Sequence, residues 1–119
     1  MEIYFKKCPH CGHVDYALKK GEFYCCGTEM IDLLPDTEDA VVEKHKPAYQ
    51  IEDDKIIAEV NHVMEEDHKI EWIMFVSEEK IIKFNLSIEQ PAKVTFNTKD
   101  KGIIYSYCNK HGLWKNEVK

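Results

Sequence analysis

The chain has 119 residues, 44% hydrophobic and 11% aromatic, with 22 acidic against 16 basic side chains and a formal charge of −6. That length allows one ordinary domain, or a small stapled module beside a compact body, and the apolar content offsets enough chain entropy to argue against disorder. The acidic balance, with no basic stripe, argues against a nucleic-acid partner, and no run approaches the roughly 18 apolar residues of a membrane span.

The opening segment from Met1 to Lys7 lacks the apolar run of a secretory signal, so the chain is expected to be cytoplasmic, with its thiols reduced. Cys8, Cys11, Cys25 and Cys26 crowd into residues 8–26, around a turn at Lys19-Lys20-Gly21-Glu22 that joins two short extended pieces. A unit this small needs a staple. Leu34-Pro35-Asp36-Thr37-Glu38-Asp39 has the composition of a linker, which sets an expected first domain at 1–36 and a second at 37–119.

Beyond the linker, β-branched and aromatic runs predict strands at Lys55 to Val60, Ile70 to Val76, Lys80 to Ile88, Ala92 to Asn97 and Ile103 to Tyr107. Ile82, Phe84, Leu86 and Ile88 alternate with Lys83, Asn85 and Ser87, and Val94 and Phe96 with Lys93, Thr95 and Asn97, giving one buried and one wet face. An alternating Ile70, Trp72, Met74, Val76 face is expected to line the interior. Helical spacing is not sustained. The turn clusters between the runs suit a small antiparallel sandwich of the immunoglobulin-like kind, so the fold class is mainly β.

Five cysteines cannot all pair internally, which favours thiolates held by metal. Cys8-Pro9-His10-Cys11 followed by Cys25-Cys26-Gly27 offers four sulfurs, a tetrahedral set for iron or zinc. The adjacent pair forces two side chains to leave neighbouring backbone positions, which is expected to distort the tetrahedron, with Gly27 relieving the crowding. A purely structural metal knot is the plain alternative. His10 and His13 lie beside a filled shell and are read as exposed loop residues.

The other candidate ligands are His45, His62, His68, Cys108 and His111, each at a break between strands, where sites are usually built. Imidazoles suit divalent iron, and a single thiolate pushes electron density toward whatever binds opposite it. Five protein ligands leave one vacancy on an octahedral ion, the mark of a catalytic rather than a structural site.

Cys8-x-x-Cys11, Cys25-Cys26, Glu43-Lys44-His45, His62-x-Met64-x-x-x-His68-x-Ile70-x-Trp72-Ile73 and Cys108-Asn109-x-His111-Gly112-Leu113-Trp114 together resemble the desulfoferrodoxins, two-iron superoxide reductases, over nearly the whole chain. The resemblance implies a rubredoxin-like desulforedoxin domain holding iron by four cysteines, with zinc as its alternative occupant. It also implies a neelaredoxin-type sandwich holding iron by four histidines and an axial cysteine. Its implied reaction is one-electron reduction of superoxide to hydrogen peroxide, in a homodimer, with electrons from rubredoxin or a similar donor. Val63 departs from the proline usual in the family after the first histidine of the His-x-Met motif.

By the same resemblance Glu43 is the carboxylate that occupies the sixth position of the oxidised iron. Lys44 is the expected attractor of the anion, because the overall field at −6 is repulsive and only a local positive charge reverses it. Trp72 and Ile73 are read as core rather than as an electron path, Trp114 as a residue of the site's rim or of its packing, and Glu65-Glu66-Asp67 as a solvated loop tip. Two other classes compete with the reductase: a non-catalytic metal-binding interaction module, and a simple electron carrier using the four-cysteine centre alone.

Overall fold

The computed structural model describes residues 2–119. Its contacts divide the chain after Leu34, and the second unit is Pro35–Lys119. The division falls two residues before the expected boundary at Asp36 because Asp36 is already tied into the second unit. Its amide donates to the Leu113 carbonyl at 2.8 Å, and its carboxylate accepts from the Lys115 amide at 3.1 Å. The stretch with linker composition is therefore anchored from Asp36 onward.

The first unit is built from five short strands rather than two extended pieces: β1 (Tyr4–Lys7), β2 (Val14–Ala17), β3 (Tyr24–Cys25), β4 (Thr28–Glu29) and β5 (Ile31–Leu33). Three of them form an antiparallel sheet in the order β2-β1-β5, and β3 with β4 forms a separate hairpin. Among its described residues only Phe5, Cys8 and Met30 are buried hydrophobics. That is too little apolar burial to hold a fold unaided, which is the physical case for a staple.

The second unit has seven strands: β6 (Ala48–Glu52), β7 (Lys55–Glu59), β8 (Ile70–Val76), β9 (Ile81–Asn85), β10 (Lys93–Phe96), β11 (Gly102–Cys108) and β12 (Gly112–Val118). They form two antiparallel sheets, ordered β10-β7-β6 and β12-β11-β8-β9. A shared interior of Ile56, Ala58, Ile73, Phe75, Phe96 and Ile104 joins the sheets, as in a sandwich. Among the described residues the sole helical element is a 3-10 turn at Val42–Lys44. The fold is mainly β, as expected, with two strands that the apolar runs did not mark. β6 is an edge strand that exposes four of its five residues, and β12 carries Lys115, Asn116 and Glu117 in its second half.

The interior face of β8 differs from the expected one. β11 pairs Tyr107 with Trp72 but Cys108 with Ile70, so Glu71 is an extra residue, a β-bulge. An extra residue inverts the alternation. Ile73 and Phe75 point into the interior, Ile70 rejoins them beyond the bulge, and Trp72 and Met74 lie buried on the other face of the sheet. There Trp72 stacks on Tyr107, ring centroids 5.7 Å apart, and the Lys83 ammonium sits 5.2 Å from the indole. The alternation expected over Lys80 to Ile88 holds only weakly, because β9 is an edge strand that ends at Asn85: Ile82 in it and Leu86 beyond it are half-buried, while Phe84 in it and Ile88 beyond it are exposed.

Phe75→Ala removes a fully buried ring and is expected to lower the unfolding free energy by about 3–5 kcal/mol. Ile88→Ala, at an exposed side chain, should change it by less than about 0.5 kcal/mol. Urea titrations of the two variants, followed by tryptophan fluorescence, make the comparison.

Candidate metal centres

In the first unit, the loop after β1 folds back on itself. The Gly12 amide donates to the Cys8 carbonyl at 3.0 Å, the Cys8 amide donates to the His13 carbonyl at 2.8 Å, and Gly12 takes a φ of +78°. This tight loop aims the Cys11 amide at the Cys8 sulfur, 3.4 Å away. That amide is the main reason the Cys8 thiol is lowered to about 6, while Cys25, sharing protons with the sulfurs of Cys11 and Cys8, is pushed up to about 12.

The adjacent cysteines are accommodated by the β3–β4 hairpin. Cys25 pairs with Thr28, and the two-residue loop is Cys26-Gly27 with φ values of +55° and +71°, the pair of signs that a type I′ turn requires. Glycine adopts that conformation freely, whereas Cys26 does so at a cost of about 1–2 kcal/mol. The left-handed backbone at Cys26, more than Gly27 alone, is what lets both sulfurs reach one point. Cys11 and Cys25 sulfurs are 3.7 Å apart, those of Cys25 and Cys26 are 3.9 Å apart, and all four lie within 4.8 Å of one another. Metal–sulfur bonds of about 2.3 Å give a tetrahedral edge of about 3.8 Å, so the set fits a four-sulfur ion, and the expected distortion is absent from these two edges. His10 and His13 are exposed and stand outside the set.

In the second unit, the chain brings His45, His62, His68, Cys108 and His111 together from four loops and strand ends, with one donor atom each within 4.8 Å of all the others. His45 follows the 3-10 turn, His62 and His68 lie between β7 and β8, Cys108 ends β11 and His111 precedes β12. Neighbouring rings run His45, His62, His68, His111 and back to His45, with centroids 4.6–5.1 Å apart and planes 66–88° apart. They close a square. Cys108 is fully buried beneath it, its sulfur 3.4 Å from His62 Nε2 and 3.8 Å from His111 Nδ1.

At two corners of this square the ring protons point away from its middle. His45 Nδ1 donates to the Val41 carbonyl at 2.7 Å and His62 Nδ1 to the Val63 carbonyl, which commits each ring to the tautomer with a bare Nε2. Burial, reinforced by the positive charge of neighbouring histidines, holds His45, His62 and His68 below the ordinary imidazole range, so all three are neutral at pH 7. His45 Nε2 faces His111 Nδ1 at 3.0 Å, and His68 Nε2 faces it at 3.3 Å. Metal–nitrogen bonds of about 2.1 Å place neighbouring ligands of an octahedral ion about 3.0 Å apart, which these spacings match, and a proton on His111 Nδ1 spans the same gap as a hydrogen bond when no ion is bound. Four imidazoles and a thiolate of this kind suit iron.

Over the square, on the side away from Cys108, opens a cavity of about 460 Å³ walled by Ala40, Val41, Lys44, Val63 and Glu65 along with the histidines. Lys44 thus stands beside the open position, and its charge is one of those depressing His62. Glu43, one residue earlier, is exposed on the same turn and off the cavity wall. Glu65 differs from the rest of the acidic run: it lines the cavity, while Glu66 and Asp67 form the exposed tip of a turn closed by paired backbone bonds between Glu65 and His68. Replacement of the usual proline by Val63 removes no ligand, since His62 takes its place in the square and Val63 supplies its carbonyl.

Asn109 is no ligand, and its part in the site does not show in the spacing of the ligands. Its Oδ1 accepts from the Lys69 amide and its Nδ2 donates to the Asp67 carbonyl, both at 2.9 Å, and its own amide donates to the Lys69 carbonyl at 3.2 Å. It fastens the His68 loop to the Cys108–His111 loop. The available signal was an Asn inside a turn between two ligands, the residue that most readily bonds to nearby backbone.

A family model for desulfoferrodoxin matches residues 37–117. The desulfoferrodoxin of Syntrophotalea carbinolica is 37% identical, over 98% of this chain and 96% of its own. A protein of Pyrococcus abyssi named superoxide reductase is 34% identical over 64% of this chain and 86% of its own. Among solved structures, the superoxide reductase from Treponema pallidum superposes with a TM-score of 0.81 at 24% identity, covering 98% of this chain and 99% of its own.

Asn109→Ala cuts two of the three bonds between the ligand loops. Affinity of the histidine centre for ferrous iron is expected to fall about 10–100-fold, measured by competition with a chelator, while the four-cysteine centre keeps its affinity.

Proposed function

This chain belongs to the desulfoferrodoxin family, and on that footing we propose that it is a superoxide reductase, converting superoxide, one electron and two protons into hydrogen peroxide without producing dioxygen. The observation that carries the reading is the square of four imidazoles with a buried cysteine sulfur on one side and an open cavity on the other. Iron held by His45, His62, His68, Cys108 and His111 supplies the single electron, and a second iron is held by Cys8, Cys11, Cys25 and Cys26. The P. abyssi relative named superoxide reductase supports the assignment.

The chain's own groups account for substrate choice. Lys44 places a positive charge on the wall of the cavity, so a small anion is drawn in against a formal charge of −6. Cys108, sealed from water, keeps its thiolate density directed at the centre. An iron held by these five groups would be reached by substrate from the cavity side. Glu43 would supply the carboxylate that caps it between turnovers. Reaching it requires the 3-10 turn at Val42–Lys44 to shift, and that turn buries none of its residues and lacks a side-chain cap.

The first unit is a desulforedoxin-like domain and the second a neelaredoxin-like one. Reduced rubredoxin or a similar one-electron carrier restores the electron, the working form is a homodimer, and the setting is the cytoplasm. Among the described residues no helix is long and apolar enough to cross a membrane, which accords with that setting.

Cys108→Ser is expected to abolish superoxide consumption and to leave the visible absorption of the four-cysteine centre in place. An electron carrier would be indifferent to the change, and zinc in both centres of natively purified protein would point to an interaction module. Lys44→Ala should slow the second-order reaction with superoxide about tenfold and flatten its dependence on ionic strength. Glu43→Ala should instead alter the optical spectrum of the oxidised protein; a spectrum unchanged across pH removes Glu43 from the site.

A further inference from the structure

Trp114 is outside both ligand sets, yet it touches two members of one. Its indole lies against the His45 ring, centroids 5.3 Å apart and planes 25° apart, and its Nε1–H donates to the His111 carbonyl at 2.9 Å. His45 and His111 are 66 residues apart in the chain, and they are the pair whose ring nitrogens, Nε2 and Nδ1, face each other at 3.0 Å. The indole is itself 3% exposed, so the surrounding sandwich fixes it before it fixes anything else.

The two ends of this contact need different kinds of restraint. The His45 carbonyl accepts from Ser106 Oγ at 2.9 Å and its Nδ1–H donates to the Val41 carbonyl, which pins one edge of the ring, and the indole on its face restrains the tilt those bonds leave. His111 is followed by Gly112 at a φ of +80°, a residue with no side chain of its own to pack, so the loop relies on neighbours to hold it. Trp114 meets both needs, one with its face and the other with its N–H.

Resting on the reading of the five groups as iron ligands, we propose that Trp114 is a positioning residue of the histidine centre. It sets the plane in which His45 presents Nε2 and holds the His111 loop at bonding distance, and through both it tunes the centre. Packing alone would make any apolar side chain of similar volume an adequate replacement.

The test uses full-length, iron-loaded protein with Trp114→Leu, which loses the stack and the hydrogen bond, and Trp114→Phe, which keeps a ring on His45. In the leucine variant, ferrous affinity of the histidine centre should fall about 10–100-fold by chelator competition, with a shifted reduction potential and a shifted thiolate-to-iron absorption. The phenylalanine variant should fall between that and the native protein on all three measures. A native far-UV circular dichroism spectrum and a cooperative urea transition of the second unit report that each variant has folded. Native affinity, potential and absorption in the leucine variant overturn the proposal whatever the rate with superoxide. If the leucine variant does not fold, the phenylalanine variant decides, and native values there overturn it. A native protein whose histidine centre takes up no iron fails the functional reading instead, a result distinct from a variant that matches an iron-loaded native chain.

Discussion

Imidazole nitrogens gathered to about 3 Å of one another are the constraint on which the second unit turns. At His45 and His62 the ring proton is spent on a backbone carbonyl, which leaves Nε2 of each bare toward the others. The spacing is that of neighbouring ligands on one cation. Much of the local architecture follows from holding that geometry ready: the Asn109 clamp between two loops, the grip of Ser106 on the His45 carbonyl, and the bulge at Glu71 beside the pairing of Cys108 with Ile70. A rigid β scaffold carries the loops, and the loops carry the chemistry.

The two centres answer different problems. In the first unit there is almost no interior, so the ion and the fold are one thing, and the strained backbone at Cys26 persists because four metal–sulfur bonds over-determine it. In the second unit the interior is large enough to stand on its own, so the ligands can be arranged for reactivity rather than for stability. The difference shows in the donor sets. Four thiolates close a shell, whereas four imidazoles and one sulfur leave a side open with the positive charge of Lys44 next to it.

Much of this was legible from residue types and spacing. Cysteines in a Cys-x-x-Cys loop and an adjacent pair announce a metal, and histidines at strand breaks announce a second site, because polar ligands in a β protein collect where the strands end. The five strand runs were legible for the same reason, through β-branched and aromatic content. What stayed hidden depended on pairing. β6 is an edge strand with little to bury, β12 mixes buried and charged residues, and the bulge at Glu71 cannot be seen in one strand alone, since an extra residue is defined only against its partner. Asn109 and Trp114 were visible as letters in a motif, but what they hold is on distant segments.

The sequence separation of the ligands also orders events in time. The first centre is complete once Cys26 has been made, whereas the second waits for His111, 85 residues later. At roughly 5–20 residues per second, synthesis leaves a gap of about 4–17 s during which the small unit can already be loaded while the histidines emerge one by one. Cys108 is made only after three of those histidines, so the second ligand set is nearly complete by the time its one sulfur joins it.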